Sequence, residues 1–277
     1  MPGTKPRMSF FKAMCTFSTS AGCSGAVSGV LDRAYEHPLD KEEQASGYLA
    51  GGVLQKGYQC GMLWGAALAA GAQAHRMYGA GAQAEANSVV AAQRALEQFR
   101  SANGHINCHE LVDTSWTSKK QMFRYFIKGG PITCMRMFAK YSPEAFDQVD
   151  GALAEPVEVP EGPVSCAAMT AKAMGASDFH ATMAAGFAGG IGLSGGACGA
   201  LGAAVWLRAV NLDSDKINYA EFHDHVGPMV EAFLRASDYN FECTEIVGRK
   251  FDGLGDHAAH LKSGGCAKII EALVGVS

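Results

Sequence analysis

This 277-residue chain is poor in charge: 18% of its residues are Asp, Glu, Lys or Arg, the formal net charge is -4, and no run of basic residues occurs. Nucleic-acid and anionic-lipid surfaces normally show as clustered Lys and Arg, so neither partner is expected. The chain also lacks CxxC, CxxCH and GK[ST] patterns, and the GxGxxG spelled by Gly190 to Gly195 does not follow a predicted strand. Those absences exclude a locally pre-formed chelate of the zinc-ribbon or bacterial-ferredoxin kind, covalent haem and a recognisable nucleotide loop. Residues 1–14 hold no apolar run of signal-peptide length, so export is not expected and a reducing cytoplasmic compartment is.

Long hydrophobic runs are scarce. Met183 to Leu207 carries no charge over a length that could cross a bilayer, about 20 residues being enough. Eight glycines interrupt it, and the matching stretch nearer the N-terminus carries Gln55, Lys56 and Gln59. The expectation is therefore a Gly-rich turn leading into a buried helix, and no membrane span.

What the chain does have is cysteine in register. Cys23, Cys60, Cys108 and Cys134 are separated by 37, 48 and 26 residues, and Cys166, Cys198, Cys243 and Cys266 by 32, 45 and 23. An offset of 138 lays Leu49-Ala50-Gly51-Gly52 on Phe187-Ala188-Gly189-Gly190 and Cys60-Gly61 on Cys198-Gly199. A shift to 135 lays Ile106 to Val112 on Phe241 to Val247, keeping Cys-x-Glu. A unit of over 100 residues is a duplicated domain rather than a solenoid module.

Apolar residues recur at three- and four-residue intervals and strand alternation is nearly absent, so the predicted fold is all-α. Two homologous helical bundles are expected, related by a pseudo-twofold axis, with Gly-rich turns before central small-residue helices. Residues 1–150 form the first repeat with an N-terminal extension, 151–164 a Pro/Glu linker and 165–277 the second repeat. Helices are predicted over Asp40–Tyr48, Gly61–His75, Val89–Ala102, Ser118–Ile127 and Thr133–Tyr141. In the second copy they are predicted over Ser177–Ala185, Cys198–Ala209, Tyr219–Ala236, Phe241–Phe251 and Gly265–Val274. Gly61, Gly65 and Ala69, with Gly199 and Ala203, would let the two central helices pack on each other and bring Cys60 near Cys198.

In each copy the four cysteines come from four elements, so any site is assembled by folding. Four thiolates suit an iron–sulfur cluster, and the glycines Gly51, Gly52, Gly189 and Gly190 would let backbone N–H groups approach its sulfurs. Dithiol–disulfide pairs and a structural zinc are the alternatives. The plainest account is that the cysteines are small buried core residues, although a packing role should let Ala, Ser or Val replace Cys in one copy. Cys15 has no counterpart and keeps that plain account.

The segments Gly22-Cys23-Ser24-Gly25-Ala26-Val27, Gly51-Gly52 with Cys60-Gly61 and Gly65-Ala66, Ile106 to Leu111 around Cys108, and Cys134 resemble the C_GCAxxG_C_C proteins. That resemblance covers Gly22 to about Tyr141 and Cys166 to about Leu273. Met62 stands where the family has Ala, and Gly202 falls one position early, while all eight cysteines are in place. The resemblance implies redox activity on the cysteines. The expected function is electron transfer through one or two iron–sulfur clusters to an unidentified redox partner protein, with dithiol exchange or a zinc-stabilised module as alternatives and a homo-oligomer left open.

Histidines offer a competing metal reading, with His105 and His109 flanking Cys108, His223 and His225 two apart, and His257 and His260 three apart on one helical face, but His105 and His109 are answered by Asn240 and Thr244. They are expected to be surface or capping residues. Glu110 and Glu245 beside Cys108 and Cys243 are expected to be helix-end carboxylates, and Trp64 and Trp206 core anchors.

Overall fold

The periodic segments resolve into helices joined by turns and two isolated β-bridges; the computed structural model describes residues 3–116, 118–212 and 218–276. Helix α1 (Phe10–Thr19) is a preceding extension. The first copy then runs α2 (Gly22–Ala34), α3 (Asp40–Ala45), α4 (Gly61–Tyr78), α5 (Ala82–Asn103), α6 (Cys108–Val112), α7 (Lys119–Ile127) and α8 (Gly130–Leu153). The second repeats the series as α9 (Cys166–Ala173), α10 (Asp178–Ala185), α11 (Gly199–Val210), α12 (Tyr219–Ala236), α13 (Cys243–Val247), α14 (Leu254–Lys262) and α15 (Ala267–Val274). Among the described residues seven helices answer seven, which is the all-α duplicated fold expected.

Several boundaries differ from expectation for local reasons. Asp40–Tyr48 divides into α3 and a 3-10 turn over Ser46–Leu49, because Ser24 Oγ donates to Ser46 O at 2.6 Å and Ser46 Oγ to Glu43 O at 2.7 Å. Phe241–Phe251 shrinks to α13 because Phe241 O accepts from Cys198 N and Cys243 N donates to Gly196 O, drawing this segment into a bridge. Gly248, at φ +79°, then ends the helix. Thr133–Tyr141 lies in the first half of a longer α8 that runs through Pro143 and ends at Leu153.

The small residues of α4 serve different neighbours from those predicted. A Cβ on Gly65 would lie 2.1 Å from Ser24 O, and one on Gly71 2.3 Å from Thr182 O, so α4 is pressed backbone to backbone against α2 on one side and α10 on the other. The two central helices meet instead where the Trp64 ring lies on Gly202. Both tryptophans are fully buried, as expected of core anchors.

The copies interlock. Helix α10 packs on α4 and α5, while α3 and the turn after it pack on α11, an exchange consistent with an approximate twofold. Trp206 Nε1 donates to Glu42 O at 3.2 Å, and Tyr58 stacks on Phe241 with ring centroids 4.3 Å apart and planes 2° from parallel. Gln59 donates to Gly190 O at 2.9 Å and accepts from Ala197 N at 2.7 Å. One apolar core contains residues of both halves, among them Phe99, Phe138, Phe187 and Phe233. Among the described residues no helix is long and apolar enough to cross a membrane.

If this close approach holds the halves together, Gly71→Val should destabilise the protein by about 2 kcal/mol or more, since overpacking against backbone cannot relax cheaply. Gly151→Ala, on an open face of α8 with nothing within 4 Å, should instead stabilise by about 0.5–1 kcal/mol. Denaturant titration of both variants checks the contrast.

Candidate functional site

Each site begins with an unusual turn. Gly51, Gly52, Val53, Leu54 and Gln55 all have positive φ, between 52° and 80°, and so do Gly189, Gly190, Ile191, Gly192 and Leu193, between 55° and 79°. Five consecutive left-handed residues form one turn of the wrong-handed helix, which L-residues normally avoid at about 1–2 kcal/mol each. Glycine is obligatory at its second position, because a Cβ on Gly52 would lie 2.3 Å from Tyr58 N and one on Gly190 2.5 Å from Gly196 O. Matching bonds close both turns: Gly57 N donates to Gly51 O, and Gly195 N to Gly189 O, each at 2.9 Å.

The turn presents an amide to the first sulfur of its own copy. The Gly51 N–H favours the Cys23 thiolate, and the Gly189 N–H favours that of Cys166. Cys23 is the second residue of α2, Cys166 the first of α9, and Cys60 and Cys198 the N-caps of α4 and α11, so four helix N-termini face these thiols. Positive dipole ends favour anionic sulfur there. Gly61 is needed for the approach, since a Cβ on it would lie 2.5 Å from Cys23 Sγ.

The third cysteine is tied to the second by a two-rung backbone bridge. Cys60 N donates to Ile106 O at 2.7 Å and Cys108 N to Tyr58 O at 2.6 Å; in the other copy Cys198 N donates to Phe241 O at 2.9 Å and Cys243 N to Gly196 O at 2.7 Å. His109 and Thr244 close this bridge in the same way. His109 Nδ1 lies 2.7 Å from Gly57 O, and Thr244 Oγ1 donates to Gly195 O at 3.0 Å. The histidine is therefore a capping group, and His105 pairs with Glu110 at 3.3 Å. Glu110 and Glu245 sit in the first turns of α6 and α13.

Cys134, on α8, completes the first set. Cys23, Cys60, Cys108 and Cys134 together line one cavity of about 170 Å³. Trp116 Nε1 donates to Cys108 Sγ at 3.4 Å, and the Tyr125 hydroxyl lies 3.3 Å from Cys134 Sγ. Cys166, Cys198, Cys243 and Cys266 lie within electrostatic reach of one another, so ionising one raises the cost of ionising the next. Gly52 and Gly190 shape the turns, whereas Gly51 and Gly189 offer the amides. Cys15 is exposed on α1, outside both sets. A larger groove of about 860 Å³ between residues 4–8, α1 and α2 is lined by no cysteine.

The thiols are not equivalent. The Cys60 thiol donates to the Cys23 sulfur, and with the amides of Gly51, Cys23 and Gly61 it outweighs burial and pulls Cys23 from 9.0 to about 7. Cys60 is pushed well up, by holding that proton and by burial. Burial raises Cys108 to about 12 and Cys134 to about 11, against the Trp116 and Tyr125 donors. In the second copy burial raises Cys166 despite its amides, raises Cys198 to about 12, and also raises Cys243 and Cys266. Among the described residues no three Cys, His, Asp or Glu side chains are placed to share one metal ion.

The aromatic donors Trp116 and Tyr125 of the first site are not marked by the cysteine register, although the offset of 135 that aligns Cys108 with Cys243 also aligns them with Phe251 and His260. The ring pairs Trp116–Tyr125 and Phe251–His260 have centroids 5.1 and 5.2 Å apart. Tyr125 rests on Gly130 and His260 on Gly265, in each case closer than any Cβ would allow.

Fold and site together define a duplicated helical protein with four cysteines in each copy, those of the first lining one cavity. A family model described as "Putative redox-active protein (C_GCAxxG_C_C)" matches residues 21–142 and again 163–276, and the chain belongs to that family as a tandem duplication. Comparison with curated proteins and with solved structures returns no match.

In reduced, metal-free protein, alkylation at Cys23 should accelerate as pH rises through about 7, while Cys60, Cys108 and Cys134 remain thiols and react slowly until well above it. Removing the donor in Cys60→Ala should move the Cys23 transition to higher pH. Mass-spectrometric mapping of labelled peptides across a pH series measures both.

Proposed function

We propose that this protein is a redox carrier whose two four-thiol centres each hold an iron–sulfur cluster. The observation that carries the reading is the convergence of four thiols, from four separate elements, on one cavity beneath a left-handed Gly turn. Soft thiolates arranged around a cavity, rather than about one point, suit a polynuclear cluster better than a single zinc ion. A bound cluster would supply one-electron chemistry. The chain's own residues hold the thiolates, offer Gly51 and Gly189 amides to them, and in the first copy screen them with Trp116 and Tyr125. The electrons pass to a separate redox partner protein.

A second reading is favoured by the Cys60-to-Cys23 hydrogen bond and the acidified Cys23 thiol, which together describe a nucleophile and its resolving partner. On that reading Cys23 and Cys60 lose two electrons and two protons to a disulfide oxidant and form one S–S bond. It uses two of the eight thiols in register and leaves the other six without a role, so we rank it second.

Anaerobically purified protein should be brown and carry iron and acid-labile sulfide. Cys60→Ser should then remove about half of both if each copy holds its own cluster. Colourless protein without iron, in which mild oxidation consumes two thiols as a Cys23–Cys60 disulfide, would establish the second reading instead. Because most of the thiols are protonated at neutral pH, loading should release protons and weaken as pH falls. Iron retention across a pH series tests that sign.

A further inference from the structure

Helix α7 is apolar on both faces. Tyr125 points inward to the thiol site, while Phe123, Phe126 and Ile127 are 68%, 60% and 71% exposed on the outer side. Residues three and four apart share a helical face, so these three form one patch. Bases surround it. Residues 114–143 contain Lys119, Lys120, Arg124, Lys128, Arg136 and Lys140 and no Asp or Glu, in a chain of net charge -4. All six are exposed, and Arg124 reaches Asp113 at 3.4 Å.

The second copy shows that the repeat does not need this patch. Helix α14 matches α7 residue for residue, and places Ala258 at the Phe123 position, Leu261 at Phe126 and Lys262 at Ile127. Ala258 and Leu261 are buried. The Pro/Glu linker covers this face: Val164 O lies 3.0 Å from His257 Nδ1, Gly162 rests on the Lys262 stem, and Glu161 pairs with Lys262 at 3.5 Å. Contacts at His257 and Lys262 bracket the strip of helix between them. In the first copy the corresponding preceding segment is α1, which packs on α8 and α2 and leaves the outer face of α7 uncovered.

We propose that the outer face of α7 is a docking surface for an extended acidic segment of the redox partner, seated as the linker is seated on α14. Charge selects the class of occupant. One lysine meets Glu161 on α14, whereas Lys119, Lys120 and Arg124 flank the apolar patch on α7, so the segment it fits is at least as acidic as the linker and carries apolar side chains for Phe123 and Phe126. Docking there places the partner one helix away from Cys134. The inference rests on the redox reading only for what the partner does, not for what binds.

The test uses the full chain and a fluorescein-labelled peptide with the sequence of residues 155–164, followed by anisotropy in metal-free, reduced protein at several salt concentrations. Saturable binding that weakens with salt is expected, falling by about tenfold or more in Phe123→Ser/Phe126→Ser and in Lys119→Glu/Lys120→Glu, and unchanged in Lys262→Glu. All these positions are exposed, and circular dichroism verifies that each variant keeps its helices. Absence of saturable binding, equal binding by the α7 variants, or loss confined to Lys262→Glu overturns the proposal. So does binding to phosphatidylserine-containing vesicles without binding to peptide, which would make the face a membrane contact. Peptide binding by a protein that proves colourless and iron-free would leave the docking surface standing and remove the cluster reading alone.

Discussion

The left-handed turn is the constraint on which the thiol centres depend. Five residues in succession hold a backbone conformation that costs each side-chain-bearing member about 1–2 kcal/mol, including the β-branched Val53 and Ile191. Such a turn persists only where its surroundings over-determine it. Here they do: the turn's own closing bonds, the packing of Gly52 against Tyr58, and in the second copy the Gln59 amide that bonds to both Gly190 and Ala197. A right-handed continuation would send the Gly51 amide elsewhere. The strain is thus located where an N–H must meet sulfur, and it recurs at the same place in both copies.

Around that shared frame the copies diverge electrostatically. The first surrounds its thiols with donors: the Cys60 thiol, the Trp116 ring N–H and the Tyr125 hydroxyl. In the second, Phe251 and His260 stand at the positions aligned with the last two, and the His260 Nε2 is buried without a hydrogen-bond partner. Donors to sulfur stabilise negative charge, so equal thiol sets acquire unequal affinities for electrons and protons. Duplication kept the skeleton while the side chains around it changed.

Much of this was legible in the sequence. Helical period and cysteine register gave the all-α duplicated fold, and the Gly51-Gly52 and Gly189-Gly190 pairs marked where backbone would approach sulfur. Three features were not legible. The left-handed pentads include Val53, Leu54, Ile191 and Leu193, residues whose local preference runs against that conformation, so tertiary contacts decide it. The partners of the small-residue helix were hidden because Gly61, Gly65 and Ala69 show that something comes close, not what; α2 and α10 take the places expected of α11. The basic character of α7 was diluted by the phenylalanines between its charges, and the absence of a contiguous run hid six bases within 30 residues.

The interlocking of the copies has an evolutionary corollary. Because α10 covers α4 and α5 while the first copy's short helix and turn cover α11, a gene encoding a single unit would leave bare the surface against which Gly71 now packs. Its product would need a sister molecule to shield that surface, at a concentration-dependent cost. Fusion makes that encounter intramolecular, and it frees each partner of a formerly symmetric pair to mutate alone.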